Sequence, residues 1–172
     1  SHQKSLEKLM SMIDYESIKT ERDTLRKDGV YRGIGFASMI ELTNPDPMMY
    51  GIGGAHISSQ DGAQVRLDSA GSIIVHTSIT EQGQGTDTII AQIAATAFGT
   101  SIDKVRVVTG DTDNVPTGGG TWGSRGAGIG GEAVLLAAKQ LRTNVVELAG
   151  ELLQADATSL DIVDSVIVDK KT

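Results

Sequence analysis

Two glycine-rich loops, each running straight into an apolar stretch of helical periodicity, constrain this chain more than any other feature. The first is Glu81-Gln82-Gly83-Gln84-Gly85-Thr86-Asp87. The second is Thr117-Gly118-Gly119-Gly120-Thr121-Trp122-Gly123-Ser124-Arg125-Gly126. Glycine admits φ > 0 and lets bare backbone N–H groups approach a bound group. A helix that starts directly after such a loop adds unpaired N–H donors and a partial positive charge, which suits phosphate or another anion. Two loops of this kind predict one bulky polar ligand held from two sides.

The rest of the chain reads as mixed α and β. Leu6, Leu9, Met10 and Ile13, then Tyr15, Ile18, Arg22 and Leu25, sit at helical spacing. They predict two short helices or one bent helix ending before Gly29. Residues 30–42 alternate loosely and contain Gly33 and Gly35, the pattern of a strand closely approached by something else. Asn44-Pro45-Asp46-Pro47 to Gly54 is a loop. Residues 63–68 and 72–78 form a hairpin about Ser69-Ala70-Gly71, with Val65, Leu67, Ile74 and His76 on the period-2 face. Ile89, Ile90, Ile93, Ala94 and Ala97 mark a helix that Thr86 caps and Gly99 stops. A short strand follows at 105–109. Val134, Ala138, Leu141, Val145, Leu148 and Leu152 then mark a long helix, and two short strands close the chain at 159–163 and 166–168. The fold class is mixed α/β (α+β): a short mixed sheet, glycine loops at helix N-termini and a long amphipathic helix near the C-terminus. Residues 1–28 are expected to form a helical segment, and 29–172 one structural unit.

Composition removes several function classes. A formal charge of −7 argues against nucleic acid or an anionic membrane surface as partner. No apolar run reaches the roughly 18 residues of a membrane span. With no cysteine, the chain contains no disulfide, thiolate metal site or iron–sulfur ligand. A cytoplasmic location is the expectation. The chain starts at Ser and stops where a strand runs into a turn, as an excised piece of something longer would.

Several motif matches fail on context. Gly118 to Gly123 and Gly126 to Gly131 both fit G-x-G-x-x-G, but the apolar strand ends well upstream and no dinucleotide fingerprint follows it. Asp111-Thr112-Asp113-Asn114 opens like a calcium loop yet lacks its later glycine and glutamate, so an Asx-type turn into Pro116 is expected. Ser124 has Trp122 where a nucleophile elbow needs glycine. His56 and His76 suggest packing rather than a metal site. Arg125 fits an anion site with its donor fork or a solvated turn equally well. Gln84 fits a heterocycle edge or oxo group, or a plain turn, in the same measure.

Taken together, the motifs resemble a known family. Glu81-Gln82-Gly83-Gln84-Gly85-Thr86 with Ala91-Gln92-Ile93-Ala94 is similar to the "GQG…AQ(I/V)A" segment of the molybdenum hydroxylases. Gly110-Asp111-Thr112-Asp113 to Pro116, then Gly120-Thr121-Trp122-Gly123-Ser124-Arg125, resembles the same family's "GDTD..P.G.GT(Y/W)(A/G)SR" segment, and Gly33-Ile34-Gly35 its upstream "GIG" strand. Order and spacing agree from about Leu6 to Leu153. The family includes xanthine dehydrogenase, aldehyde oxidase, carbon monoxide dehydrogenase and hydroxybenzoyl-CoA reductase.

The resemblance implies a fragment from the C-terminal half of the large, molybdopterin-binding subunit, inactive by itself. It implies that Gln82, Gly83, Gln84 and Gly85 lie at the molybdenum end of the cofactor, with Gln84 close to an oxo ligand or the pterin. Gly123, Ser124, Arg125 and Gly126 are implied to hold the pterin and its phosphate through backbone N–H groups. The cofactor implied by the resemblance is a molybdenum–molybdopterin, in its simple or cytosine dinucleotide form. The implied chemistry is hydroxylation of a small-molecule substrate, with electrons leaving through iron–sulfur clusters and FAD on partner domains or subunits. No catalytic residue and no metal ligand is assigned here. The family's general-base glutamate lies elsewhere, and Glu132, at the start of the long helix, is not its counterpart. From the residues alone, a non-catalytic nucleotide- or phosphate-binding module remains the alternative.

Overall fold

The computed structural model of the chain describes residues 2–44 and 60–171. It divides into two compact units, residues 1–40 and 41–172. The expected loop from Asn44 to Gly54 and His56 fall largely or wholly outside the described residues.

The first unit holds α1 (His2–Met12) and α2 (Tyr15–Lys27). The break between them is Asp14, at φ 47°, whose carbonyl accepts the N–H of Ile18 and so starts the second helix. At the other end, Gly29 N–H donates to Arg26 O and Val30 N–H to Leu25 O, the paired bonds that close a helix on a left-handed residue. Residues 30–43 are irregular, not the strand that their alternation predicts. Alternation specifies a strand only where a neighbour supplies ladder bonds, and this stretch pairs with no strand among the described residues.

The second unit is built on a three-stranded sheet, β1 (Ala63–Leu67), β2 (Ile73–Thr77) and β3 (Val105–Val108), in the order β1-β2-β3. The β1–β2 hairpin turns on Asp68, whose Oδ1 accepts the N–H groups of Ala70 and Ser72, both at 2.8 Å. Parallel pairing of β2 with β3 requires a crossover, supplied by α3 (Thr86–Phe98). Gly99 ends α3, with Thr100 N–H returning to Ala95 O. The second glycine loop runs through a wide turn of helix, Gly126–Gly130, into α4 (Gly131–Leu153). A final hairpin, β4 (Leu160–Val163) and β5 (Val166–Asp169), turns at Asp164-Ser165, both at positive φ. Arg142 on α4 staples these parts, donating to Phe98 O at 3.0 Å, to Ile162 O and to the Asp161 carboxylate.

The core is Ile73, Val75, Ile90, Ala94, Phe98, Val134 and Ile162. It corrects two expectations. In β2 the buried face is Ile73, Val75 and Thr77, not Ile74 and His76. Residues directly opposite in an antiparallel pair share a face. The register sets Val65 against Val75 and Leu67 against Ile73, so the core phase follows β1 across the hairpin. The apolar stripe of α4 also stops short. Val134 and Ala138 are buried, and Leu141 and Val145 line the core, but Leu148 and Leu152 are exposed. There the helix buries Ala149 and Gly150 instead, Gly150 against Ala155 and Ala157 as the chain turns back.

Because only one phase of β2 faces the core, Ile73→Ala is expected to cost about 2–5 kcal/mol and Ile74→Ala clearly less. Chemical denaturation of the two variants side by side checks it. Equal losses would contradict this register.

Candidate functional site

The two glycine loops meet at the end of β2. Thr80 N–H donates to Thr121 Oγ1 at 2.7 Å, and that hydroxyl returns a bond to Thr80 O at 2.9 Å. Gln82 Nε2 reaches across to Thr121 O at 3.2 Å. Between the loops lies a cavity of about 340 Å³ lined by Glu41, Gln82, Gln84, Thr121, Trp122, Gly123, Ser124 and Arg125. Five of the eight residues singled out in the sequence therefore line one cavity, and Gly83, Gly85 and Gly126 adjoin them in the chain.

Asp61, which no motif flagged, fixes the second loop. Its carboxylate is fully buried beside the fully buried guanidinium of Arg125, with Nη2 at 2.5 Å and Nε at 3.1 Å from Oδ2. The other oxygen accepts Gly119 N–H at 2.9 Å and Ser78 Oγ–H at 2.8 Å. One acid thus joins the end of β2, the glycine run and the last residue before the helix. Gly118 is a steric requirement of this arrangement, since a Cβ there would overlap Ser78 Oγ and Asp61 Oδ1. The guanidinium also stacks 5.2 Å from the Trp122 ring centre, and the Trp122 indole donates to Gly119 O at 2.8 Å. Arg125 borders the cavity as one half of an ion pair, not as an extended cation.

The first loop is organised by Glu81. Oε1 accepts the N–H groups of Gln82 (3.1 Å), Gly83 (2.6 Å) and Gly85 (3.0 Å), and Oε2 that of Asp87 (3.1 Å). Gly83 and Gly85 lie at φ 96° and 87°, a left-handed curl that turns these N–H groups inward. Capping of α3 therefore differs from the expectation. Gly85 occupies the cap position and Thr86 is a buried helical residue making no cap bond. The donors expected to await an anion are instead filled by the chain's own carboxylate. Bonds from the Asp87 and Gly85 N–H groups hold the Glu81 carboxyl below its ordinary 4.5, with weaker help from Gly83 and Gln82.

Side-chain amides and hydroxyls complete the lining. Gln84 Oε1 accepts the N–H of Gln82 at 2.7 Å, and among the described residues its NH₂ has no partner. Ser124, at φ 50°, donates its hydroxyl to Glu41. The N–H groups at the start of the helix that opens at Gly126 have no acceptor within their own helix, as at any helix start. Elsewhere, Asp111 makes the Asx-type turn read from the sequence, accepting Asp113 N–H at 3.1 Å and Asn114 Nδ2 at 2.7 Å.

The model of the molybdopterin cofactor-binding domain matches residues 8–172. This chain belongs to that family. It is 32% identical to the large subunit of nicotine 6-hydroxylase from Paenarthrobacter nicotinovorans, over 92% of this chain and 20% of the relative. It is equally 32% identical to the carbon monoxide dehydrogenase large chain of Hydrogenophaga pseudoflava, over 91% of this chain and 20% of that one. Among solved structures, quinoline 2-oxidoreductase from Pseudomonas putida 86 superposes with a TM-score of 0.72 at 32% identity, over 97% of this chain and 21% of its own. The chain thus spans about a fifth of the length of the relatives it matches. Among the described residues, no helix is long and apolar enough to cross a membrane.

Two outcomes follow from this geometry. Asp61→Ala strands a buried guanidinium and is expected to cost about 3–5 kcal/mol, whereas the paired replacement Asp61→Leu with Arg125→Met should cost less than either single change. Denaturant unfolding of Asp61→Ala, Asp61→Leu, Arg125→Met and the paired replacement checks this. A carboxyl held below its ordinary value stabilises the fold above the unfolded-state value, near 4.5 for Glu81. That stabilisation is lost as pH falls through the lower folded-state value. The melting-temperature gap between the unmodified protein and Glu81→Gln should therefore be full at neutral pH and close on acidification below that range. A gap independent of pH would count against an ionised Glu81.

Proposed function

We propose that this chain is the part of a molybdenum-dependent oxidoreductase's large subunit that holds the molybdopterin cofactor between its two glycine loops. The observation carrying this reading is the cavity shared by both loops, lined by amide and hydroxyl groups and bordered by the start of a helix. The residues suit such a group. The NH₂ of Gln84, without a partner among the described residues, is a donor for a heterocycle edge or an oxo oxygen. Gln82 ties that side to the opposite loop, and the backbone from Gly123 to Gly126 leads into helix N–H groups suited to phosphate.

When bound, molybdopterin supplies two-electron redox chemistry and oxygen transfer. This chain's own residues bind and orient it. Glu81 stiffens the first loop, Asp61 and Arg125 hold the second, and the paired threonines Thr80 and Thr121 keep the two in register. The general base is expected outside this chain, so the segment by itself is inactive. The whole subunit is proposed to hydroxylate or dehydrogenate a small molecule, with iron–sulfur and FAD partners carrying electrons away and the pterin in either its simple or its cytosine dinucleotide form. That reading rests on relatives such as a nicotine 6-hydroxylase and a carbon monoxide dehydrogenase. A cytoplasmic location belongs to the same proposal.

The test is molybdenum per polypeptide together with oxidised-pterin fluorescence, on the full subunit purified with its partners. Near-stoichiometric metal and pterin are expected, and a well-folded complex lacking both would overturn the reading. In metal-replete enzyme, Gln84→Ala is expected to lower turnover about 10²-fold, the usual effect of removing one positioned donor.

A further inference from the structure

In the cofactor reading Glu81 only stiffens the first loop, yet its carboxylate sits where the N–H groups of that loop converge. Phosphate sites at helix starts use consecutive backbone N–H groups. At the start of α3 those of Gln82, Gly83, Gly85 and Asp87 all converge on one carboxylate within the same loop. The curl this produces brings Gln82 N–H within 2.7 Å of Gln84 Oε1. That bond orients the Gln84 amide at the cavity wall: its oxygen accepts Gln82 N–H, and its NH₂ has no partner among the described residues. Gln82, at the centre of the curl, reaches Thr121 O with its own amide. Remove the carboxylate and the loop N–H groups repel one another around an empty centre, while both glutamines lose their common frame.

We propose that Glu81 is a positioning residue: its carboxylate is the permanent anion of the first glycine loop. It reserves that loop for presenting Gln84 as a donor and leaves the cofactor's phosphate to the loop ahead of Gly126. The grip on the loop stands independently of the cofactor; the phosphate assignment rests on the reading above.

The experiment uses the full subunit with its partners, as the unmodified enzyme and as Glu81→Ala, Glu81→Gln, Gln84→Ala and Glu81→Gln/Gln84→Ala. In Glu81→Ala, amide hydrogen exchange across 82–87 should quicken at least about tenfold, with 131–153 unchanged. Added acetate, a bare carboxylate, should restore slow exchange to that variant and leave the unmodified enzyme unaffected. Inorganic phosphate should likewise protect 82–87 only in Glu81→Ala. In metal-replete enzyme, Glu81→Gln should lower turnover about tenfold alone but less than twofold on top of Gln84→Ala, since coupled residues are non-additive. Unchanged exchange in Glu81→Ala would overturn the proposal, as would phosphate protection of 82–87 in the unmodified enzyme or fully additive turnover losses. An unmodified enzyme without metal and pterin would remove the cofactor reading and the phosphate assignment with it. The exchange and acetate arms would still judge the grip of Glu81.

Discussion

The buried pair of Asp61 and Arg125 is the contact on which the rest of the site depends. Two opposite charges removed from water are tolerable only when their remaining hydrogen-bonding capacity is met. Here the requirement draws in Ser78 from the end of β2, Gly119 from the glycine run and Trp122 over the guanidinium. Meeting it places the second loop against the first. The threonine pair and the Gln82 bridge then need to span only a short gap. The Asp61–Arg125 pair therefore provides specificity of arrangement, whatever its net energy.

The acidic character of the chain gains a structural meaning from the same source. A fold with many tight turns leaves backbone N–H groups without ladder partners, and each needs an acceptor. Asp68 serves the β1–β2 turn, Asp111 the connector ahead of the second loop and Asp156 the return before β4. Asp61 and Glu81 serve the glycine loops themselves. Bonds to Asn114 and Thr158 lead in holding the Asp111 and Asp156 carboxyls below their ordinary values. Part of the −7 charge is thus internal wiring rather than a field offered to a partner.

Element type was legible in the chain because it depends on local chemistry. Periodicity located α3 and α4, β-branched runs located the strands, and Gly99 marked a helix end. Phase was less legible. Ile73-Ile74-Val75-His76 offers apolar residues in both registers of a strand, and only the pairing of β1 selects Ile73 and Val75 for the core. The apolar alternation of residues 30–42 misled for a related reason: a strand is a property of a pair.

The site divides along the same line. By itself the sequence determined that two glycine loops precede two helices, that Gln82, Gln84, Ser124 and Arg125 sit in them, and which family carries such loops. Backbone freedom and helix starts are encoded over a few residues. Which anion fills each loop was decided only by the tertiary structure, because that depends on carboxylates at any distance along the chain. Asp61 reaches Arg125 across 64 positions, and Glu81, although only six positions from Asp87, binds the start of α3 through a curl that no motif describes. The loops drawn as open anion sites in the sequence are, once folded, supplied with carboxylates of their own, and a hydrogen-bond inventory in three dimensions is what decides which donors remain for a ligand.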